Sequence, residues 1–214
     1  MLGNLEVITR FFPELDEEQV ERFRALAPLY EEWNGKINVI SRRDVGNLYE
    51  HHVLHSLALA KFLNEITTDV EGKGKFNVLD VGTGGGFPGI PLAILFPEYR
   101  FTLIDSVRKK IRVCQAVVDA LGLHNVRSLW QNVMDHTGRY SFIVSRAVTT
   151  ATSLHGLVAH LKGRKTILCL KGGDMRNDIA ELQGLGIEQV GEQDIHEYFP
   201  LPYFEGKKIL YWQA

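Results

Sequence analysis

Val78-Leu-Asp-Val-Gly-Thr-Gly-Gly-Gly-Phe-Pro-Gly-Ile-Pro-Leu92 reads as a buried strand running into a glycine-rich turn and then a helix. Gly82, Gly84, Gly85 and Gly86 free the backbone to turn sharply and to approach a ligand without obstruction by a Cβ. Four glycines in five positions are entropically costly unless something must come close. Pro88 stands where the first turn of a helix tolerates a missing N–H. Asp80, at the strand end, either fixes the loop or reaches a ligand's amino group.

Two dinucleotide-like spacings coexist in this stretch. Gly82, Gly84 and Gly86 give G-x-G-x-G, and Gly84, Gly86 and Gly89 give G-x-G-x-x-G. The second alone is weak evidence for a nicotinamide cofactor. Its surroundings argue against that: Phe87 and Pro88 make a poor pyrophosphate cradle, because proline removes a donor. An acidic residue two positions before the first glycine suits a cationic sulfonium amino acid better. Asp105 closes the next strand, FTLID. A carboxylate there accepts both ribose hydroxyls of an adenosine, or caps the helix that follows; the two roles are compatible.

Outward from the loop, strands alternate with helices. FNVLDV, YRFTLID, VRSLWQ, FIVSRAV and KTILCLK are strand candidates; PLAILF, RKKIRVCQAVVDAL, TSLHGLVAHL and MRNDIAELQ are helix candidates. This alternation predicts an α/β, doubly wound, parallel sheet. IEQVGEQDIHEYF and KKILYWQ read as two terminal strands. Upstream, Asp16 is a predicted N-cap before EEQVERFRALAPLYEEW, and His51–Ile66 is a second helix. The chain divides into an N-terminal helical cap (1–66), a polar connection (67–75) and a Rossmann-like domain (76–214).

The 214 residues carry a net charge of −2, with 45% hydrophobic and 23% charged residues, ordinary values for a globular protein. Bulk charge gives no support to a nucleic-acid ligand, which would have to be met by local basic patches. Cys114 and Cys169 lie in apolar stretches without C-x-x-C spacing, so a reducing, cytoplasmic setting is expected. Neither a secretory signal nor a membrane span is read.

DVGTGGGFPGIPLAI (Asp80–Ile94), FTLIDS (Phe101–Ser106), VSRA (Val144–Ala147), WNGKINVISRRD (Trp33–Asp44) and HHVLHSL (His51–Leu57) together resemble the bacterial 16S ribosomal RNA (guanine-N7)-methyltransferase family RsmG, also called GidB. The resemblance runs from about Leu26 to Trp212. It implies a class I S-adenosylmethionine-dependent methyltransferase fold: a seven-stranded, mostly parallel sheet with helices on both faces and an N-terminal helical extension. It also implies S-adenosylmethionine as cofactor, and 16S rRNA or the 30S subunit as partner. The modified atom would be N7 of a guanine in the decoding-region loop. Gly82 and Phe87 match the family's cofactor loop, Val133 and Met134 the pair bracketing the adenine, and Arg146 the arginine of the S-R-A motif. Two places depart from the family pattern. Met134 replaces a frequent acidic residue, with Asp135 beside it. The usual R-H-x-x-D-S reads His51-His52-Val53-Leu54-His55-Ser56, so an ion pair between its first and fifth positions is lost or changed.

Guanine N7 carries a free lone pair and no proton, so attack on an activated methyl needs no general base. The site need only align the reacting atoms and exclude water. Arg146 is the candidate for orienting base or cofactor, or it is a structural ion pair with Asp80 or Asp105. A guanidinium reaches guanine O6 but would block N7. No N-P-P-Y or D-P-P-Y motif follows the fourth strand, and neither cysteine has the context of a pyrimidine-C5 nucleophile. Both read as buried fillers. His51, His52 and His55 lack the further ligand a metal needs, and no metal is expected. His52 either contacts RNA or a lid over the site, or belongs to a packed helix start. Arg42, Arg43, Lys171 and Arg176 are read as phosphate contacts, or as a solvated charged face. The chain is expected to act without an obligate protein partner, as a monomer. A methyltransferase for a small molecule or protein, a non-catalytic assembly factor and a nicotinamide oxidoreductase stand as alternatives.

Overall fold

The computed structural model describes residues 4–41, 44–68, 75–146 and 148–214. Helix α1 (Glu6–Phe11) leads to α2 (Glu17–Asn34). Asp16 caps α2 reciprocally with Gln19: the Gln19 N–H donates to Asp16 Oδ1 at 2.7 Å, and the Asp16 N–H donates to Gln19 Oε1 at 3.2 Å. Such a box satisfies two donors that the helix start leaves without partners. The same Gln19 amide donates to the carbonyls of Ile94 and Leu95, tying the start of α2 to the end of α4 (Gly89–Leu95).

Pro28 lies inside α2, where it removes the N–H that would bond the carbonyl four residues back. That carbonyl belongs to Arg24. The hydroxyl of Tyr49 donates to it at 3.1 Å and to the Phe23 carbonyl at 2.9 Å. Tyr49 comes from a π-helical segment, Leu48–Leu54, that runs directly into α3 (His55–Thr67). The helix expected at His51–Ile66 therefore begins earlier, and its first turns have the wider π register. That register buries Leu48, Tyr49, Val53 and Leu54.

The remaining elements are β1 (Asn77–Val81), β2 (Arg100–Asp105), α5 (Arg108–Ala120), β3 (Val126–Trp130), β4 (Phe142–Arg146), α6 (Ala151–Val158), β5 (Thr166–Gly172), α7 (Arg176–Gly184), β6 (Val190–Asp194), α8 (Ile195–Tyr198) and β7 (Lys207–Gln213). They form one seven-stranded sheet in the order β3-β2-β1-β4-β5-β7-β6. The first five strands pair in parallel, and β7 is antiparallel to both β5 and β6. A dinucleotide-binding Rossmann sheet has the order 3-2-1-4-5-6; inserting an antiparallel β7 gives the class I methyltransferase arrangement.

Alternating side chains divide the core. Val78, Phe101, Leu103, Phe142, Val144, Leu168, Leu170 and Ile209 point to one face, where they pack with α1 to α5. Leu79, Ile104, Ile143, Ile167, Cys169, Leu210 and Trp212 point to the other, with α6 and α7. One expected strand is shorter than its apolar pattern suggests. IEQVGEQDIHEYF is a strand only through Asp194, whose carboxylate accepts the His196 N–H at 2.8 Å and caps α8. Both cysteines are buried, and burial pushes each thiol up to about 12, which leaves them unionised fillers. Among the described residues no helix is long and apolar enough to cross a membrane.

Candidate functional site

Strands β1 and β2 end side by side, Val81 opposite Ile104. The chain leaving β1 is held there: the N–H groups of Gly82 and Thr83 donate to the Ile104 carbonyl at 2.8 and 3.1 Å. Two carboxylates then shape the loop. Asp80 Oδ2 accepts the Thr83 hydroxyl at 2.6 Å and the Gly89 N–H at 2.9 Å, fastening the loop's start to the first residue of α4. Asp80 is fully buried, and among the described residues its Oδ1 has no partner. Burial lifts its carboxyl to about 7. Of its two sequence-level roles the structure shows the first, fixing the loop.

Asp105 holds the opposite wall. Its Oδ2 accepts the Gly84 N–H at 3.0 Å and its Oδ1 accepts the Val107 N–H at 2.7 Å. It thus caps the approach to α5 while each oxygen keeps a further lone pair. From behind, the Tyr30 hydroxyl donates to the Gly85 carbonyl at 2.7 Å, and its ring lies 4.8 Å from that of Phe87. Gly82 and Gly84 both have positive φ, +69° and +60°, a region in which L side chains are strained. A Cβ on Gly82 would lie 2.5 Å from Val148 Cγ2, whereas one on Gly84 would meet nothing within 4 Å.

These elements border a cavity of about 510 Å³, within the usual range of roughly 300–1,000 Å³ for small-ligand sites. Its walls include Gly82, Gly84, Phe87, Asp105, Val133 and Arg146. The open backbone at Gly84 is a cradle that a side chain would fill. With the spare acceptors of Asp105, it fits an adenosine bearing an amino-acid tail. Gln131 and Asn132 also line the cavity, and sequence reasoning missed both. Asn132 had a legible signal: it caps the turn Val133–Asp135, accepting the Met134 N–H at 3.0 Å. Met134 itself stands 53% exposed and is not part of the cavity wall.

Arg146 ends β4 beside β1. Its guanidinium lies 5.1 Å from the centroid of the Phe87 ring, and its Nη1 lies 3.5 Å from the His51 carbonyl oxygen. Among the described residues it forms no ion pair, so the structural pairing with Asp80 or Asp105 is not made. Burial holds it below the usual guanidinium range.

The three histidines take different roles. His51 Nδ1 lies 2.8 Å from Asp44 Oδ1, and its ring stacks on Tyr203 at 3.7 Å and 9°. The Tyr203 hydroxyl donates to the His51 carbonyl at 3.2 Å. His52 packs 5.4 Å from the Phe87 ring, its Nε2 lies 3.9 Å from Asp44 Oδ2, and among the described residues neither ring nitrogen has a hydrogen-bond partner. Burial, reinforced by the Arg146 charge, depresses it to about 4. His55 is buried edge-on to Tyr203 and Phe204. Among the described residues no group of three metal-ligating side chains forms.

The expected phosphate contacts divide. Lys171 is engaged by Asp178, and Arg176, 88% exposed, is engaged by Asp174. Arg42 and Arg43 lie outside the described residues.

Residues 19–197 match the family model described as GidB, rRNA small subunit methyltransferase G. A ribosomal RNA small subunit methyltransferase G of Porphyromonas gingivalis is 42% identical, covering 96% of this chain and 92% of its own. The corresponding Cytophaga hutchinsonii protein is 44% identical over 98% of this chain and 100% of its own. Among solved structures, Synechocystis magnesium protoporphyrin IX methyltransferase with bound SAM matches at TM-score 0.55 and 16% identity, covering 92% of this chain and 96% of that one. An Aquifex aeolicus SAM-dependent methyltransferase matches at TM-score 0.53 and 20% identity, covering 73% and 91%. At these identities the structural likeness concerns the fold.

Proposed function

The chain belongs to the rRNA small subunit methyltransferase G (GidB) family, and we propose that it transfers a methyl group from S-adenosylmethionine to N7 of a guanine in the decoding-region loop of 16S ribosomal RNA. Family membership supports a ribosomal RNA methyltransferase; the atom and the loop are the finer part of the reading. One observation carries the choice of cofactor. A glycine loop with an open backbone at Gly84 is pinned between two carboxylates, Asp80 and Asp105, at the carboxyl ends of β1 and β2.

In this reading Asp105 receives the ribose hydroxyls on its spare lone pairs. Gly82 and Gly84 let the amino-acid end approach the backbone, and Gln131, Asn132 and Val133 wall the adenine side. S-adenosylmethionine, when bound, supplies a methyl group on a positively charged sulfur. Guanine N7 loses no proton on methylation, so no side chain must accept one. What the protein contributes is alignment and exclusion of water. Arg146, held on Phe87 without a competing carboxylate among the described residues, is suited to donate to guanine O6 and leave N7 open.

The test is methyl transfer from labelled S-adenosylmethionine to purified 30S particles lacking the mark, beside free 16S rRNA, a protein pool and a metabolite pool. Label in 16S rRNA at a borohydride- and aniline-sensitive position supports the reading. Label confined to protein or metabolites overturns it.

A further inference from the structure

The cations that sequence reasoning assigned to phosphate on β5 and α7 are engaged by Asp178 and Asp174. A different set is not. Arg108, Lys109, Lys110 and Arg112 fall within the first five positions of α5, and among the described residues none forms an ion pair. Their placement works against the helix. The amino end of a helix carries partial positive charge, so cations there destabilise it. Arg108 and Arg112, four residues apart, repel each other as well. The first turn of α5 holds no acidic residue to offset this.

A second, independent feature stands beside them. Trp130, the last residue of β3, is 58% exposed. It is fixed rather than loose: its indole N–H donates to the Ser106 carbonyl at 3.0 Å, and the Arg108 guanidinium lies 5.0 Å from its ring centroid. Ser106, Val107 and Lys110 belong to the wall of the cofactor cavity, so the surface begins at the cavity mouth. A held, exposed indole beside unpaired cations is the combination that single-stranded nucleic acid uses: phosphates meet the charges and a base stacks on the ring.

We propose that the amino end of α5 and Trp130 form the docking surface for a single-stranded segment of the substrate RNA. Its phosphates would lie along Arg108, Lys109 and Arg112, with one base against Trp130. The proposal rests on the RNA reading above and adds to it where the strand enters. Because the chain as a whole is slightly acidic, this local patch would set the strand's position.

The experiment measures affinity of the full-length protein for a short, labelled single-stranded RNA across a salt titration, by fluorescence anisotropy. Arg108→Gln/Lys109→Gln/Arg112→Gln is expected to lower the slope of log affinity against log salt by about 2, since each phosphate contact on a single strand contributes roughly 0.7. Trp130→Ala is expected to weaken binding roughly 5- to 100-fold with little change in slope, and Trp130→Phe to recover most of it. All three variants should bind S-adenosylhomocysteine as the unaltered protein does, which reports an intact fold. RNA binding by the unaltered protein that none of the variants changes overturns this surface and leaves the RNA reading standing. No RNA binding by the unaltered protein, to the oligonucleotide or to 30S particles, overturns both.

Discussion

Asp80 Oδ2 receives the Gly89 N–H at 2.9 Å, so one buried carboxylate closes the glycine loop on itself across nine residues. The same oxygen takes the Thr83 hydroxyl. Asp80→Ala would leave both donors buried without a partner, a loss of about 1–3 kcal/mol each at most. Asp80→Asn keeps an acceptor oxygen and resembles the protonated form that burial favours. We expect thermal unfolding to show Asp80→Ala several degrees less stable than Asp80→Asn, with S-adenosylhomocysteine affinity following the same order. Equal melting temperatures for the two variants would remove Asp80 from the loop's support.

The buried groups around this loop give stability opposing pH dependences. Asp80 has its folded value raised to about 7. Between its unfolded value near 4 and pH 7 the folded state holds a proton that the unfolded chain has lost, so its contribution falls as pH rises. His52, depressed to about 4, and His55, depressed well below its ordinary value, act the other way. Their unfolded forms take up protons below about 6.5 while the folded forms resist, so stability falls as pH drops through that window. Two histidines against one aspartate predict a net loss toward acid between about pH 6.5 and 4. Asp80→Asn should steepen that loss, and His52→Gln should flatten it. Urea unfolding at a series of pH values measures both slopes, and a shallower slope in Asp80→Asn contradicts the assignment.

Gly82 and Gly84 share a left-handed backbone but differ in what surrounds them, so alanine should separate stability from binding. At Gly82 the added carbon meets Val148 at 2.5 Å, adding a clash to a backbone strain of about 1–2 kcal/mol. At Gly84 only the strain remains, and the methyl enters open space bordering the cavity. Gly82→Ala is expected to lower the melting temperature more. Gly84→Ala is expected to weaken S-adenosylhomocysteine binding disproportionately to its stability loss. Calorimetry on both decides; unaltered binding by a folded Gly84→Ala protein would place the ligand elsewhere.

The contrast between those two glycines also marks where sequence stops being informative. The loop is legible because glycine spacing is a local backbone demand, and Asp80 and Asp105 are legible because each stands at the carboxyl end of a strand, β1 running straight into the loop. Seven strands were legible from alternation plus the terminal pair, while their order shows only in the pairing. Part of what was not legible comes from distant contacts. The Tyr30 hydroxyl behind Gly85 and the Tyr203 ring on His51 join residues 55 and 152 positions apart. Lys171 and Arg176 looked available because basic residues near strand ends face a ligand cleft in such folds. Their neighbours Asp178 and Asp174 engage them, and only side-chain direction shows it. Met134 was placed by motif, and its exposure, with the Asn132 cap on its N–H, shows only in the folded turn. The strand through Asp194 ended early for the same kind of reason, a short polar side chain capturing a backbone N–H.

Arg146 should separate function from stability most sharply. Its charge is desolvated, no carboxylate among the described residues compensates it, and its contacts are the Phe87 face and a long approach to the His51 carbonyl. A desolvated charge without a partner is a cost to folding. Arg146→Gln is therefore expected to leave the melting temperature unchanged or raise it, whereas a purely structural arginine would lower it. Methyl transfer to 30S particles should fall on the order of 100-fold, the scale for removing a donor that orients a reacting group. Arg146→Lys keeps the charge but not the planar fork or its stacking, so it should recover only a small part of the rate. If Arg146 acts on the base, the loss appears in kcat while S-adenosylhomocysteine affinity stays close to that of the unaltered protein. A protein that melts lower and methylates at the full rate would return Arg146 to a structural role.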